Sequence, residues 1–166
     1  MAYLPDNKYE RRKVTNYLVV HCSATKPSQD IGVEDIREWH IKQRHWIDCG
    51  YHYVVKRDGT VEMGRPTWAI GSHVEDHNFE SVGICLVGGL DEQGQAASTF
   101  TDRQFESLWH VLYLLKRDSY QKAQIVGHRD IQVVTDKDCP CFDAKKWWAP
   151  FDKQVQREIN QRQCIG

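Results

Sequence analysis

Long apolar segments are missing from this sequence. It contains no run of about 18 apolar residues, the length that a membrane-spanning helix needs, and its first residues contain no apolar core of a secretory signal. Internal repeats and low-complexity tracts are absent too. We therefore expect a protein that is made in a cytosol and has no membrane span. A length of 166 residues suffices for one domain with a sizeable core.

A strong net charge is also missing. The 22 Lys and Arg residues almost cancel the 23 Asp and Glu residues, which leaves a formal net charge of −1. Such a chain has no overall field that would draw it onto nucleic acid or an anionic membrane. We expect no direct nucleic-acid or membrane partner, and we expect a monomer.

The chain does contain six cysteines, which are Cys22, Cys49, Cys85, Cys139, Cys141 and Cys164. In a small secreted protein this number would suggest three disulfides. In a cytosolic chain of this size, free thiols or metal ligands are favoured instead.

Hydrophobic patterns predict one α/β domain over residues 14–166, preceded by a charged, flexible arm over residues 1–13. Short apolar runs predict strands at 17–21, 51–56, 60–63, 81–87 and 123–126, and Asp58-Gly59 is a strong hairpin signal. Helical spacing of apolar residues indicates a helix at 33–43 and another that follows a capping box at Thr101 and Gln104. A polar helix is predicted over residues 150–163. These elements form a mostly buried central sheet with helices.

Three potential metal ligands follow strands or a short loop. His21 ends the first predicted strand, His128 follows the last one, and Cys139 comes a short loop later. Two imidazoles and a thiolate suit Zn²⁺, and three protein ligands leave a fourth position for water, as in catalytic zinc sites. From spacing alone, a hydrogen-bonded core histidine explains His21 and His128 equally well. Five other histidines are interpreted as packing or surface residues: His40, His45, His52, His77 and His110.

Several longer motifs resemble the N-acetylmuramoyl-L-alanine amidases of the phage lysozyme or endolysin type. They are HCSATKPSQ at 21–29, GYHY at 50–53, KRDGTVE at 56–62, GSH at 71–73, SVGICLVGG at 81–89 and CPxFD at 139–143. The resemblance covers about residues 17–148. It implies a central mixed β-sheet flanked by helices, the fold that peptidoglycan-recognition proteins share. The implied activity is hydrolysis of the bond between N-acetylmuramic acid and L-alanine in bacterial peptidoglycan. Such an endolysin lyses the host from its cytoplasm once another protein has opened the inner membrane.

The resemblance also implies site residues. It places one zinc ion on His21, His128 and Cys139, catalytic roles on Tyr51 and Lys137, and substrate contacts on His73 and Asn78. An ammonium and a phenol are donors that can stabilise the oxyanion of an attacked amide or transfer a proton. Two features depart from the lysozymes of short-tailed coliphages: the stretch between His128 and Cys139 is longer, and Cys141 replaces a serine.

Three alternatives accompany this interpretation. A non-catalytic peptidoglycan-binding module would usually lack a zinc ligand such as Cys139. An inhibitor that binds a phage RNA polymerase, as one coliphage lysozyme does, is compatible with amidase activity, and the N-terminal arm would be free to meet that partner. A thiol hydrolase that uses Cys22 beside His21 is disfavoured, because adjacent strand residues point to opposite faces.

Overall fold

A computed structural model describes residues 8–132 and 138–165 of the protein. Five strands lie in these residues: β1 (Tyr17–Cys22), β2 (Tyr53–Val55), β3 (Val61–Met63), β4 (Ser81–Leu86) and β5 (Gln124–Gly127). The helices are α1 (Val33–Arg44), α2 (Asp102–Asp118), α3 (His128–Ile131) and α4 (Ala144–Ile165), and a 3₁₀ turn spans Asn78–Glu80. Within this part of the chain, no helix has both the length and the apolar character to cross a membrane.

The strands form one mixed sheet in the order β3-β2-β4-β1-β5. Strands β2, β4, β1 and β5 run parallel, and only β3 is antiparallel to its neighbour. This arrangement confirms the predicted α/β class with a central mixed sheet. Because β1 and β5 are parallel and pair Val20 with Gly127, the residues that follow the pair, His21 and His128, emerge at the same sheet edge.

Both faces of the sheet are covered by helices or loops. Leu18 and Val20 of β1 lie in the main core with residues of α2 and α4, including Leu112 and Ile159. On the opposite face, α1 packs through Ile36 onto a smaller cluster that contains residues of β2 and β4. Burial on both faces explains why the parallel strands have apolar runs without alternation.

Local signals in the sequence correspond to specific contacts. The amide of Gln104 donates to Thr101 Oγ1 (3.2 Å) and the amide of Thr101 donates to Gln104 Oε1 (3.0 Å), so the predicted capping box is confirmed. Gln104 is fully buried and also donates to the carbonyls of Val55 and Val87, which joins α2 to the sheet. Gly59 has a φ of +89° in the turn between β2 and β3, as the hairpin signal predicts.

The C-terminal helix begins earlier than predicted. It starts at Ala144, and Pro150 lies inside it rather than at its first turn. Asp143 caps this start, because its carboxylate accepts from the amide of Lys146 (2.9 Å). Trp148, near the N-terminal end of the helix, is buried in the core. Tertiary packing of this turn therefore outweighs the helix-breaking tendency of a proline.

Residues 9–12 pack against the domain, in contrast to the flexible arm predicted over residues 1–13. Tyr9 donates to Asp48 (2.6 Å), and Arg11 pairs with Ala69 in an isolated bridge. The Arg12 side chain is buried and donates to the carbonyls of Ala69 (2.8 Å) and Thr67 (2.7 Å). Residues 1–7 lie outside the described residues. Charge suggested a solvated segment here, but the planar guanidinium of Arg12 donates to loop carbonyls inside the protein, where His52 Nε2 also lies 2.9 Å from the Ala69 carbonyl.

Arg12→Ala is expected to lower the free energy of unfolding by about 3 kcal/mol, because it removes the donor to the Thr67 carbonyl, one of two donors to the Ala69 carbonyl and a buried side chain. Arg11→Ala is the matched control. Arg11 is exposed and stacks over Trp68 at 4.6 Å, so its loss should cost less than about 1 kcal/mol. Urea denaturation of both variants measures the difference. Equally small effects of the two substitutions would favour the loose arm predicted over residues 1–13.

Candidate metal site and adjoining cleft

The candidate metal site lies at the carboxyl end of β1 and β5. His21 is 1% exposed, and its ring centroid lies 4.7 Å from that of His128. His128 begins α3, whose start is held by a hydrogen bond from the amide of Gly127 to the carboxylate of Asp130 (2.7 Å). Two parallel strands thus deliver two imidazoles to one point, which is the usual way that α/β sheets build sites.

The three predicted ligands meet at this point. Among the described residues, the ligand atoms of His21, His128 and Cys139 all lie within 4.8 Å of one another. Cys139 Sγ is 4.0 Å from His21 Nδ1, so Nδ1 is the atom of His21 that faces the thiol. Small shifts of the side chains would bring these atoms to the distances of a tetrahedral ion with nitrogen and sulfur ligands. This donor set fits a divalent metal.

Groups around the ligands orient them. The backbone amide of Cys22 donates to Cys139 Sγ (3.3 Å), which holds the sulfur beside the end of β1. His128 Nε2 is hydrogen-bonded to Gln132 Oε1. An amide oxygen only accepts, so Nε2 of His128 carries the proton in this contact, and Gln132 fixes the orientation of the ring.

Tyr51 lies beside the ligand cluster, two residues before β2 begins rather than at its start. Its ring centroid is 5.1 Å from that of His21. Its backbone is held by the amide of Arg65, which donates to the Tyr51 carbonyl (2.9 Å). Burial raises the pKa of the Tyr51 phenol well above its usual range, and the neighbouring thiols, Cys85 first, raise the pKa further. The phenol is therefore a hydrogen-bond donor at neutral pH.

His73 and Asn78, the residues expected to contact substrate, are both engaged within the protein. His73 is 8% exposed, and its Nδ1 lies 2.9 Å from His21 Nε2. Burial lowers the pKa values of His21 and His73 well below their usual range, with a smaller effect of neighbouring histidines, so both rings are neutral. Asn78 Oδ1 accepts from the amides of His73 (2.8 Å) and Val74 (3.0 Å) and so supports the loop that carries His73.

The second thiol of the loop is directed elsewhere. Cys141 Sγ lies 3.2 Å from the carbonyl of Gly89 and 3.9 Å from Cys22 Sγ, and it is not part of the ligand cluster. A hydrogen bond with Cys139 raises the pKa of the Cys22 thiol to about 12. Cys22 is thus a poor nucleophile, which weakens the thiol-hydrolase alternative. No disulfide joins the six cysteines, all of which are described.

A cleft of about 590 Å³ adjoins the cluster. Tyr51, His73 and His128 contribute to its wall near the cluster, and Arg44, Trp46 and Glu75 line it elsewhere. This mixture of charged, polar and aromatic groups suits an extended polar substrate. Lys137, the second predicted catalytic residue, lies outside the described residues.

Comparison with known proteins decides the family. The family model described as N-acetylmuramoyl-L-alanine amidase matches residues 10–142. The chain belongs to this amidase family. It is 47% identical over 141 residues to the endolysin of Escherichia phage T7, a match that covers 85% of this chain and 90% of the relative. Its identity to the endolysin of Klebsiella phage KP32 is also 47%, with the same coverage.

Solved structures agree with this family assignment. The Ph2119 endolysin of a Thermus scotoductus bacteriophage has a TM-score of 0.71 at 30% identity, covering 89% of this chain and 92% of that one. Drosophila PGRP-LB has a TM-score of 0.67 at 22% identity, covering 85% and 84%, which shows a shared fold. The predicted resemblance to the amidase family is confirmed.

Sequence reasoning missed two polar partners of this amidase-family site. Gln132, which contacts His128, gives no signal beyond its i, i+4 spacing on a four-residue helix that was not predicted. His40 was interpreted as a packing residue, yet it lines the cleft and its Nδ1 accepts from the amide of Gly50 (2.9 Å). Its position on α1 could have indicated this placement only if the path of the following loop were known.

Proposed function

We propose that the protein is a zinc-dependent phage endolysin that hydrolyses the amide bond between N-acetylmuramic acid and L-alanine in bacterial peptidoglycan. The main support is that the ligand atoms of His21, His128 and Cys139 lie within 4.8 Å of one another, in a chain of the amidase family. Retention of all three ligands argues against a non-catalytic binding module. Synthesis in the host cytoplasm, followed by access to the wall after the inner membrane is opened, belongs to the same proposal.

Different residues of the site have different roles in the proposed reaction. His21, His128 and Cys139 would hold the ion, and the cleft would bind the muramoyl-peptide with its scissile carbonyl near them. A bound zinc ion supplies Lewis-acid chemistry, because it polarises a carbonyl oxygen and lowers the pKa of a water molecule. Tyr51, which stays protonated, donates a hydrogen bond to the carbonyl oxygen as negative charge develops there. Lys137 is proposed to stabilise the same charge or to transfer a proton to the leaving amine.

The proposal is tested by metal removal. Protein treated with a chelator should release no new amino groups from purified peptidoglycan, and added Zn²⁺ should restore the release. The assay counts the L-alanine amino groups that are freed, with reducing sugar ends measured in parallel to exclude a glycosidase. Full activity in metal-free protein would refute zinc dependence. Binding to peptidoglycan without release of amino groups would favour the non-catalytic module.

Inhibition of a phage RNA polymerase stays a prediction. The N-terminal arm was the segment expected to be free for such a partner, and its residues 9–12 pack against the domain instead. Run-off transcription with the cognate polymerase, beside a peptidoglycan assay on the same sample, would measure this second activity.

A further inference from the structure

A line of buried polar side chains runs from His21 into the protein interior. His21 Nε2 lies 2.9 Å from His73 Nδ1, and His73 Nε2 lies 3.4 Å from Ser81 Oγ. Ser81 Oγ in turn lies 2.7 Å from the backbone carbonyl of His77. The exposed fractions of His21, His73 and Ser81 are 1%, 8% and 0%. Because water has little access, the partners within the line decide where each proton lies.

The backbone carbonyl of His77, at the end of this line, sets the direction of every hydrogen bond in it. A carbonyl oxygen only accepts, so Ser81 donates its single proton to His77. The oxygen of Ser81 then accepts from His73, whose one ring proton must lie on Nε2. His73 Nδ1 is consequently an acceptor, and it receives a hydrogen bond from Nε2–H of His21. The His21 ring is left with an unprotonated Nδ1, the atom 4.0 Å from Cys139 Sγ.

We propose that His73 is a positioning residue that sets the tautomer and the ring orientation of the metal ligand His21, rather than a residue that binds substrate. This inference rests on the metal site of the proposed function. Metal-ligating histidines generally need such a partner on the second ring nitrogen, because it aims the ligand atom and raises its basicity. His73 provides this contact for His21, as Gln132 does for His128.

The position of the His73 ring is tightly constrained. Gly83 of β4 has no side chain, and a Cβ there would lie 2.6 Å from His73 Cγ, so only glycine lets the ring approach the strand this closely. The amide of Gly83 donates to Nδ1 of the buried His52 (2.9 Å), which holds this stretch of backbone. Asn78 accepts from the amide of His73 on the other side (2.8 Å). A fixed His73 can therefore fix His21.

Two substitutions of similar size test the proposal. In His73→Asn, the side-chain oxygen can occupy the place of Nδ1 and accept from His21, whereas His73→Leu offers no acceptor. Zinc dissociation constants are measured by competition with a chromophoric chelator. We expect His73→Leu to bind Zn²⁺ about 10–100-fold more weakly than the original protein, and His73→Asn to retain most of the affinity. Unchanged affinity in both variants, or equal losses in both, would overturn the proposal.

Tautomers in the unsubstituted protein provide a second readout that needs no variant. Long-range ¹H–¹⁵N NMR spectra should show the proton of His73 on Nε2 and that of His21 on Nε2. A proton on Nδ1 of His73 would reverse the direction of the hydrogen bond with His21 and overturn the inference. Failure of the proposed function would look different, since the unsubstituted protein would then bind no zinc or release no amino groups. If His73 bound substrate instead, its substitution would raise KM and leave the zinc affinity unchanged.

Discussion

Cys139→Ser should lower kcat/KM on peptidoglycan by roughly 10³-fold or more, because a catalytic metal contributes several kcal/mol and each 1.36 kcal/mol is a factor of ten. The substitution removes the only thiol of the ligand cluster found among the described residues. The variant should still fold, since the site lies on an already packed sheet and Cys139 is only partly buried. Zinc content of the purified protein and its release of amino groups from peptidoglycan measure the two losses.

Cys141→Ser is the matched control, because it makes the same chemical change two residues away. Cys141 Sγ lies near the carbonyl of Gly89 (3.2 Å), and a serine hydroxyl can replace that contact. We expect zinc content and activity close to those of the original protein. If Cys141→Ser instead loses zinc and Cys139→Ser keeps it, the loop that carries both thiols has been assigned the wrong ligand.

Tyr51→Phe should lower kcat on the order of 10²-fold while zinc stays bound, because the substitution removes one donor to the developing oxyanion. The aromatic ring at position 51, whose centroid lies 5.1 Å from that of His21, is retained, so the geometry of the site should be preserved. Steady-state kinetics on a soluble muramoyl-peptide separate kcat from KM. Lys137→Ala is expected to act in the same way, as a companion variant.

Tyr53→Phe provides the control for Tyr51→Phe. It removes a phenol two residues along the chain whose oxygen is 2.6 Å from Thr67 Oγ1. Its effect should be confined to stability, at about 1 kcal/mol. A Tyr51→Phe effect seen only in KM would show that the phenol holds substrate and does not act on the transition state. Equal kinetic effects of the two substitutions would point to a general disturbance of the β2 region.

Much of the fold was predictable because its signals are local. The apolar runs of the parallel strands, the hairpin at Asp58-Gly59 and the capping box at Thr101 each depend on a few neighbouring residues. The start of α4 was wrong by six residues, since the burial of Trp148 is a long-range effect. Helix ends that tertiary contacts stabilise are not readable from local preference.

The candidate site was also predictable only in part. His21 and His128 were identifiable as candidates because each ends or follows an apolar run, and parallel strands bring such ends together. The contact of His73 with His21 spans 52 residues and was not foreseen. His73 was expected to line the substrate groove, and it does contribute to the wall of the cleft, but no local pattern indicates that it also contacts a ligand.

The sequence by itself determined the five strands, the approximate positions of three helices, the α/β class and, through its motifs, the amidase family. Those features depend on the period of hydrophobic residues, on turn residues and on the order of the motifs, all of which can be read directly from the sequence. Only the tertiary structure decided that Arg12 is buried, that Cys141 turns toward Gly89 and that His73 reaches His21. Each of these outcomes depends on which distant carbonyl, amide or ring nitrogen lies within hydrogen-bond distance, and that is settled when the sheet is assembled.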